Sequence, residues 1–273
     1  MMSHSTNKYI KIENSANNEL IKIISLNRPE ARNAFHPEMI SEITNFFNYE
    51  NKFENKIENK FENEKSEKKT TKLIILKAEG KVFCAGADLN WMKDMVNYSF
   101  AENTADSERL WEMFESIQNC QIPVVAVAHG AVFGGALGLL STCDYVYAEE
   151  NTKFCFSEVR LGLAPAIISG FISRKMPEAY YRPLMLSAEV FNTQEAQRIG
   201  LVQKIYSSHI ETSEVAHNFL ENGIEAMQET KKLLNLLQLQ TARQSENNKK
   251  LCTKVISERR MSTEAQDRMK KFL

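Results

Sequence analysis

Lys81-Val-Phe-Cys-Ala-Gly-Ala-Asp-Leu89 and His129-Gly-Ala-Val-Phe-Gly-Gly-Ala-Leu-Gly-Leu139 are the two stretches whose reading decides the fold. Each follows a continuous apolar run, Leu73 to Leu76 and Val124 to Ala128, of the kind that forms a fully buried strand. Each precedes an apolar stretch with helical spacing. Strand, tight turn, helix is therefore the repeated unit. Of the ten glycines, seven fall between Gly80 and Gly162, so the special backbone is concentrated in one region. Each turn can present a backbone N–H. Two such donors from distant segments can grip one oxygen on which negative charge develops.

Outward from these turns the same alternation continues. Leu20 to Leu26 reads as a strand rich in β-branched residues, followed by the polar turn Asn27-Arg-Pro-Glu-Ala-Arg-Asn-Ala34, where Pro29 fixes the backbone. A helix is expected from about Pro37 to Tyr49. Residues 50–71 are low-complexity. Phe53, Ile57 and Phe61 recur every four residues and would extend that helix with a sparse apolar stripe, but the composition reads more readily as a solvated, partly disordered insertion. Helices are expected over Asn90–Met95 and near Ser107–Ile117, with the second glycine turn opening a further helix through Leu140. Tyr145–Ala148 and Lys153–Phe156 read as short strands. Asn192-Thr-Gln-Glu195 reads as a capping box with Asn in place of Ser or Thr, and Gly200 as the stop of that helix. Most of 211–273 is helical by composition and period.

The pattern predicts an α/β fold with largely parallel sheet. Periodicity alone leaves open a flat doubly wound sheet or a spiral of ββα units. The expected division is a core over 1–190, interrupted by the 50–71 insertion, and a C-terminal helical region over 191–273.

Composition narrows the function. Hydrophobic residues make up 43% and charged residues 25% of the 273 residues, with a formal net charge of −1. That balance gives no electrostatic footprint for nucleic acid. Five cysteines (Cys84, Cys120, Cys143, Cys155 and Cys252) form no C-x-x-C pair. With a polar N-terminus lacking signal-peptide character, they read as free thiols in a reducing compartment, which implies a cytoplasmic protein without a structural metal. Ile122 to Leu140 mimics a membrane span. Pro123, His129 and four glycines within it fit a buried strand, turn and helix better.

Several familiar motifs fail. Gly130, Gly134, Gly135 and Gly138 do not give the G-x-G-x-x-G spacing of a dinucleotide site. Gly130 and Gly135 fit half of a P-loop, but Ala136 and Leu137 replace its Lys and Ser/Thr. There is no G-x-S-x-G elbow and no H-E-x-x-H.

Taken in order, Leu26-Asn-Arg-Pro-Glu-Ala-Arg-Asn-Ala34, Phe83-Cys-Ala-Gly-Ala-Asp-Leu89, Gly130-Ala-Val-Phe-Gly-Gly135, Cys143-Asp144 and Phe156-Ser-Glu-Val-Arg-Leu-Gly162 resemble the enoyl-CoA hydratase/isomerase (crotonase) superfamily. Ala85 to Met92 and Ser157 to Leu163 most resemble the branch that hydrates methylglutaconyl-CoA and carboxygeranoyl-CoA. The resemblance implies a spiral of ββα turns with a C-terminal helical region, assembled as a homotrimer or a dimer of trimers. It implies an acyl-CoA thioester substrate, coenzyme A being part of that substrate, with no separate cofactor. It places the oxyanion donors at the backbone N–H groups of Ala87 and Gly135, and the CoA path along the backbone around Ala31, Ala85, Asp88 and Leu89.

Hydratases of this family use two glutamates facing a water. The second matches Glu158. The first falls on Gly138, which carries no carboxylate. Glu158 follows a strand end, and an apolar pocket there would raise its pKa, so that one carboxyl both accepts and delivers a proton. The resulting expectation is a hydratase acting on a 2-enoyl-CoA, with a branched or dicarboxylic acyl chain as one option. A Δ3/Δ2-enoyl-CoA isomerase is the alternative, since one carboxylate suffices to move a proton between carbons. A catalytically silent acyl-CoA-binding subunit is the third reading. Asp88 reads as a helix cap, Asp144 as structural and His129 as a hydrogen-bonded core residue. Trp91, Met92 and Met95 read as core or acyl-pocket wall. Arg160 reads as solvent-facing, with a substrate carboxylate as its other possible partner. Arg268, Lys270 and Lys271 read as a solvated helix end, with a CoA phosphate on a neighbouring subunit as the alternative.

Overall fold

Apolar residues on both faces of the strands account for the architecture. In the computed structural model, which describes residues 7–58, 71–238 and 242–272, nine strands form two sheets among the described residues. The strands are β1 (Ile10–Ser15), β2 (Asn18–Leu26), β3 (Leu73–Ala78), β4 (Val124–Ala128), β5 (Ala131–Phe133), β6 (Tyr145–Glu149), β7 (Lys153–Cys155), β8 (Phe191–Asn192) and β9 (Lys204–Tyr206). The helices are α1 (Pro37–Glu58), α2 (Leu89–Met95), α3 (Phe100–Gln118), α4 (Gly135–Thr142), α5 (Ala166–Lys175), α6 (Glu178–Ser187), α7 (Thr193–Arg198), α8 (Thr212–Leu220), α9 (Ile224–Gln238), α10 (Ala242–Met261) and α11 (Thr263–Phe272).

The larger sheet runs β1-β2-β3-β4-β6-β9 and is parallel apart from the β1–β2 hairpin. Its strands alternate. Ile21, Ile23, Leu73, Ile75, Val125 and Tyr147 face α8 through Val215 and Ala216. Ile24, Leu26, Ile74, Leu76, Val124 and Ala126 face the main core. Fully burying one such side chain contributes about 1.5–3 kcal/mol, and the central strands β3 and β4 accordingly carry a single polar residue between them, Lys77.

A second row of strands settles the choice between flat sheet and spiral. Phe35 bridges Ala87, Cys84 bridges Val132 in β5, β5 pairs β7, and β7 pairs β8. This order repeats that of β2, β3, β4 and β6 in the larger sheet. The chain therefore lays one strand in each row and then a helix, as in β4-β5-α4 and β6-β7-α5, before starting the next circuit. The fold is the spiral of ββα units.

Element boundaries differ from the expectations in instructive ways. α1 continues to Glu58, into the low-complexity stretch that read as disordered. The side chains of its Phe53, Ile57 and Phe61 stripe, and residues 59–70, lie outside the described residues. α3 begins at Phe100, because Ser99 and Glu102 form a reciprocal capping box. The second glycine stretch holds a strand, β5, before its helix. Strand pairing also crosses the boundary expected at residue 190: β8 joins β7 and β9 joins β6, so the wholly helical region starts at Thr212. Asn192 caps α7 through Glu195 N–H at 2.9 Å, but Glu195 turns to Arg198, so only half of a capping box forms. Gly200 ends that helix at a φ of +88°. All five cysteines are free. Among the described residues, no helix is long and apolar enough to cross a membrane.

Candidate active site

The two glycine turns are stitched together by their own backbone. Phe83 and Cys84 donate to the carbonyls of His129 (2.9 Å) and Ala131 (3.1 Å), and Phe133 donates back to Cys84 (3.1 Å). Ala85 donates to Arg32 (3.0 Å), while Phe35 bonds both to Gly86 O (2.7 Å) and from Asp88 N (2.8 Å). In such a parallel bridge, Phe35 uses both its polar groups and its opposite number, Ala87, directs its own the other way. Gly134 donates to Cys155 O (2.9 Å), and Gly135 then opens α4, where the first amides have no partner within the helix. Neither Ala87 N–H nor Gly135 N–H donates to a protein acceptor among the described residues.

Contact between the turns is intimate. A Cβ on Gly86 would lie 3.0 Å from Phe133 O and 3.9 Å from Gly134 Cα. Gly86 (φ +96°) and Gly134 (φ +54°) adopt left-handed conformations that favour glycine. Each immediately precedes one of the two expected donors. Phe35 touches both turns, by its backbone at Gly86 and Asp88 and by its ring edge, 3.5 Å from where a Gly135 Cβ would be. Ala87, Gly135 and Glu158 all line one cavity of about 800 Å³.

Glu158 opens a short 3-10 turn, Glu158–Leu161, just beyond β7, and Gly162 closes it. Its carboxyl lies against the second glycine turn: a Cβ on Gly134 would be 3.6 Å from Oε1 and 3.9 Å from Cδ. Oε2 is buried with no hydrogen-bond partner. Burial pushes the Glu158 carboxyl up to about 7, and its own backbone N–H draws it back only in part. A group so placed exchanges a proton readily near neutrality.

The position that the resemblance gives to a first glutamate is closed. Gly138 lies inside α4, and a Cβ there would come 2.5 Å from Ile168 Cγ2 and 3.0 Å from Phe114 Cζ. Ile168 of α5 fills the space that a longer side chain would need. Of the carboxylates lining the cavity, Glu30 is exposed and Asp88 is paired, which leaves Glu158.

Ala31, Ala85, Asp88 and Leu89, expected along the CoA path, all line this cavity. Asp88 caps α2, accepting from Asn90 N–H (2.8 Å) and Trp91 N–H (3.1 Å), and pairs with Arg28 (2.7 Å). Burial alone would raise its pKa; the N–H donors and the Arg28 guanidinium outweigh that and hold it below the usual range. Trp91, Met92 and Met95 are buried and also line the cavity, so they are core and wall at once. Asp144 is structural, accepting from Val124 N–H and Lys231. His129 bonds Gly80 O at 3.0 Å but is only half-buried, a correction to its reading as a core residue. Arg160 is exposed yet fixed to Ala188 O, so it is a tether as well as a surface charge. Lys270 and Lys271 are exposed at the end of α11, and Arg268 pairs with Glu264.

Sequence reading missed several residues that build the site. Asn33, fully buried at a φ of +53°, donates to Glu79 O (2.7 Å) and Val82 O (3.0 Å) and so ties the polar turn to the first glycine turn. Its place beside Gly-poor turn residues was the available signal, since Asn tolerates this conformation. Phe35, Ile168 and Arg260 left no local signal, because their roles depend on contacts between distant segments.

Residues 16–272 match the family model described as enoyl-CoA hydratase/isomerase, and the chain belongs to that family. It is similar to a crotonyl-CoA hydratase of Syntrophomonas wolfei, 28% identical over 226 residues that cover 80% of this chain and 78% of that protein. It is 30% identical to an enoyl-CoA hydratase of Alternaria alternata over 73% of this chain, and spans 60% of that relative's length. Among solved structures, an enoyl-CoA hydratase from Shewanella pealeana superposes with a TM-score of 0.73 at 30% identity, covering 98% of this chain and 94% of the other.

Proposed function

We propose that this protein adds water reversibly across the double bond of a 2-enoyl-CoA thioester, with Glu158 as its single acid–base group. The Glu158 carboxylate takes a proton from water as the water oxygen bonds to the β-carbon. The π electrons move to the thioester oxygen, where the N–H groups of Ala87 and Gly135 hold the enolate charge. Glu158, now a carboxylic acid, returns the proton to the α-carbon and is a carboxylate again. CoA lies along the backbone around Ala31, Ala85, Asp88 and Leu89. The observation that carries the reading is Glu158 itself, whose Oε2 is buried without a partner and whose Oε1 lies beside Gly134, one residue from the Gly135 amide. Family membership and the named hydratases at about this level of similarity support it.

A branched or dicarboxylic acyl chain belongs to the same proposal, supported by the likeness of Ala85–Met92 and Ser157–Leu163 to the methylglutaconyl-CoA branch. So does a homotrimer or dimer of trimers, supported by the exposed Leu233, Leu234, Leu236 and Leu237 of α9. One observation favours a second reading: Ile168 and Phe114 place an apolar wall where a water-holding glutamate would project. Glu158 moving a proton from C2 to C4 of a 3-enoyl-CoA needs no water, which is isomerisation. Incubating a 2-enoyl-CoA and a 3-enoyl-CoA separately and identifying the products decides between them. A 3-hydroxyacyl-CoA from the first supports hydration. Interconversion of the two without hydroxylation supports the isomerase. Thioester binding without turnover of either supports the silent subunit.

A further inference from the structure

Arg260 sits in an environment that hydration of a plain acyl chain does not require. It lies near the end of α10 with its side chain 6% exposed, and it lines the same cavity as Glu158. The i, i+4 spacing puts Ile256 and Arg260 on one face of α10. The same spacing puts Asp106 and Leu110 on one face of α3, and all but Asp106 line the cavity. The cavity wall here is thus apolar except for one guanidinium.

That guanidinium is incompletely satisfied. Its hydrogen bonds all leave from Nη1, to Asp106 Oδ2 (3.0 Å), Ser107 Oγ (3.3 Å) and Asn103 Oδ1 (3.4 Å). Nε is buried and has no partner. A guanidinium carries five N–H donors in a planar fork, so donor capacity exceeds the acceptors supplied. Charge, unlike donor capacity, is balanced: Arg260 and Asp106 are both buried and pair one to one. Asp106 is one carboxylate shared by Arg260 and by Arg109 (3.3 Å), and it also accepts from Trp91 Nε1 (3.3 Å). The Arg109 head is exposed and screened by solvent, whereas Arg260 is not. Burial lowers the Arg260 pKa, and Asp106 restores it only in part. A buried donor left without a partner is costly to keep, and an acceptor brought to the guanidinium lowers that cost, a charged acceptor most of all.

We propose that Arg260 is a specificity residue that receives a carboxylate at the far end of the acyl chain, so that the preferred substrate is the CoA monothioester of an unsaturated dicarboxylic acid. This deepens the hydratase reading and rests on it. Asp106 and Trp91 are positioning residues: Asp106 holds the guanidinium, and Trp91 joins that pair to α2, whose cap Asp88 lies on the CoA path.

The test compares a five-carbon 2-enoyl-CoA ending in a carboxylate with the same thioester ending in a primary amide, which has the same shape and no charge. The wild-type enzyme is expected to favour the acid in kcat/KM by about 30-fold or more, as for a buried charge pair that loses one partner. Arg260→Met is expected to lower kcat/KM for the acid at least about 30-fold more than for the amide. Equal losses on both substrates would mean that Arg260 only ties α10 to α3, and would overturn the proposal. If the variant does not fold, the wild-type pair decides alone: absence of a preference for the acid overturns it. Calorimetric binding of the saturated acid and amide thioesters separates this inference from the reading beneath it. Preferential binding of the acid without hydration would uphold the role of Arg260 and refute the hydratase. Hydration of both thioesters with equal binding would do the reverse.

Discussion

Gly138 of α4 lies so close to Ile168 of α5 that a single added carbon would sit 2.5 Å from Ile168 Cγ2. The helix crossing and the missing carboxylate are therefore one feature. Gly138→Ala is expected to destabilise the fold by about 1–3 kcal/mol through overpacking, although alanine is the better helix former by about 1 kcal/mol. Adding Ile168→Ala should recover part of that loss, because it removes the colliding methyl. Urea denaturation of the two single variants and the double variant measures the coupling. Additive losses would contradict the contact.

The join between the two glycine turns is expected to be equally intolerant, for a functional reason. Gly134→Ala would put a methyl 3.2 Å from Ser157 Oγ and 3.6 Å from Glu158 Oε1, at a φ of +54°. It should lower kcat by about 100-fold or more, since it disturbs the base and the Gly135 amide together. A Gly200→Ala control has a comparable φ of +88°, but the nearest contact beyond its chain neighbours is 3.9 Å away, at Lys175 O. It should lose stability with little change in kcat. Similar kcat for all three proteins would refute the site geometry.

The pH dependence follows from Glu158. Its carboxyl must be ionised to take a proton, and burial has moved it from an ordinary 4.5 to about 7. kcat/KM should therefore rise with pH, be half-maximal near 7 and fall about tenfold per unit below that. Stability changes in the opposite direction. The raised pKa favours the protonated folded state, so its contribution is complete below 4.5 and is lost as pH rises through about 7. Between those limits the wild type should lose on the order of 2–3 kcal/mol relative to Glu158→Gln, which has no group to ionise. Parallel stability profiles for the two proteins would show that the carboxyl is not buried.

Asp88 caps α2 and lines the cavity along the CoA path proposed above. Asp88→Ala removes the α2 cap and leaves Arg28 without its partner at 2.7 Å. A loss of about 1–2 kcal/mol is expected by thermal denaturation. KM should rise more than kcat falls, because α2 and the first glycine turn move together. A selective loss of kcat would instead assign Asp88 a chemical role.

Much of this was legible in the chain. The apolar runs of β3 and β4 and the glycines after them fixed the strand-turn-helix unit, because burial on both faces and positive φ leave few residue choices. Asp88 read as a cap for the same local reason. Glu158, Ala87 and Gly135, which line one cavity, came from ordered motifs. What stayed hidden depends on long-range packing. The spiral needed the Phe35–Ala87 and Cys84–Val132 bridges, which no local period encodes. β8 has two residues and β9 has three, too short to show a pattern, so their pairing with β7 and β6 left no signal in the chain. Arg260 lies in the polar run Glu258-Arg-Arg-Met261, where nothing distinguishes the buried arginine from Arg259.

The most direct test of the central claim is single-turnover and steady-state kinetics of Glu158→Gln on a 2-enoyl-CoA, with thioester binding measured alongside. Gln keeps the shape and removes the proton carrier. The account predicts a loss in kcat of about 1000-fold or more, within the range of general acid–base contributions, with the dissociation constant changed less than about threefold. Turnover within about tenfold of wild type would contradict it, since no other unpaired carboxylate lines the buried part of the cavity among the described residues.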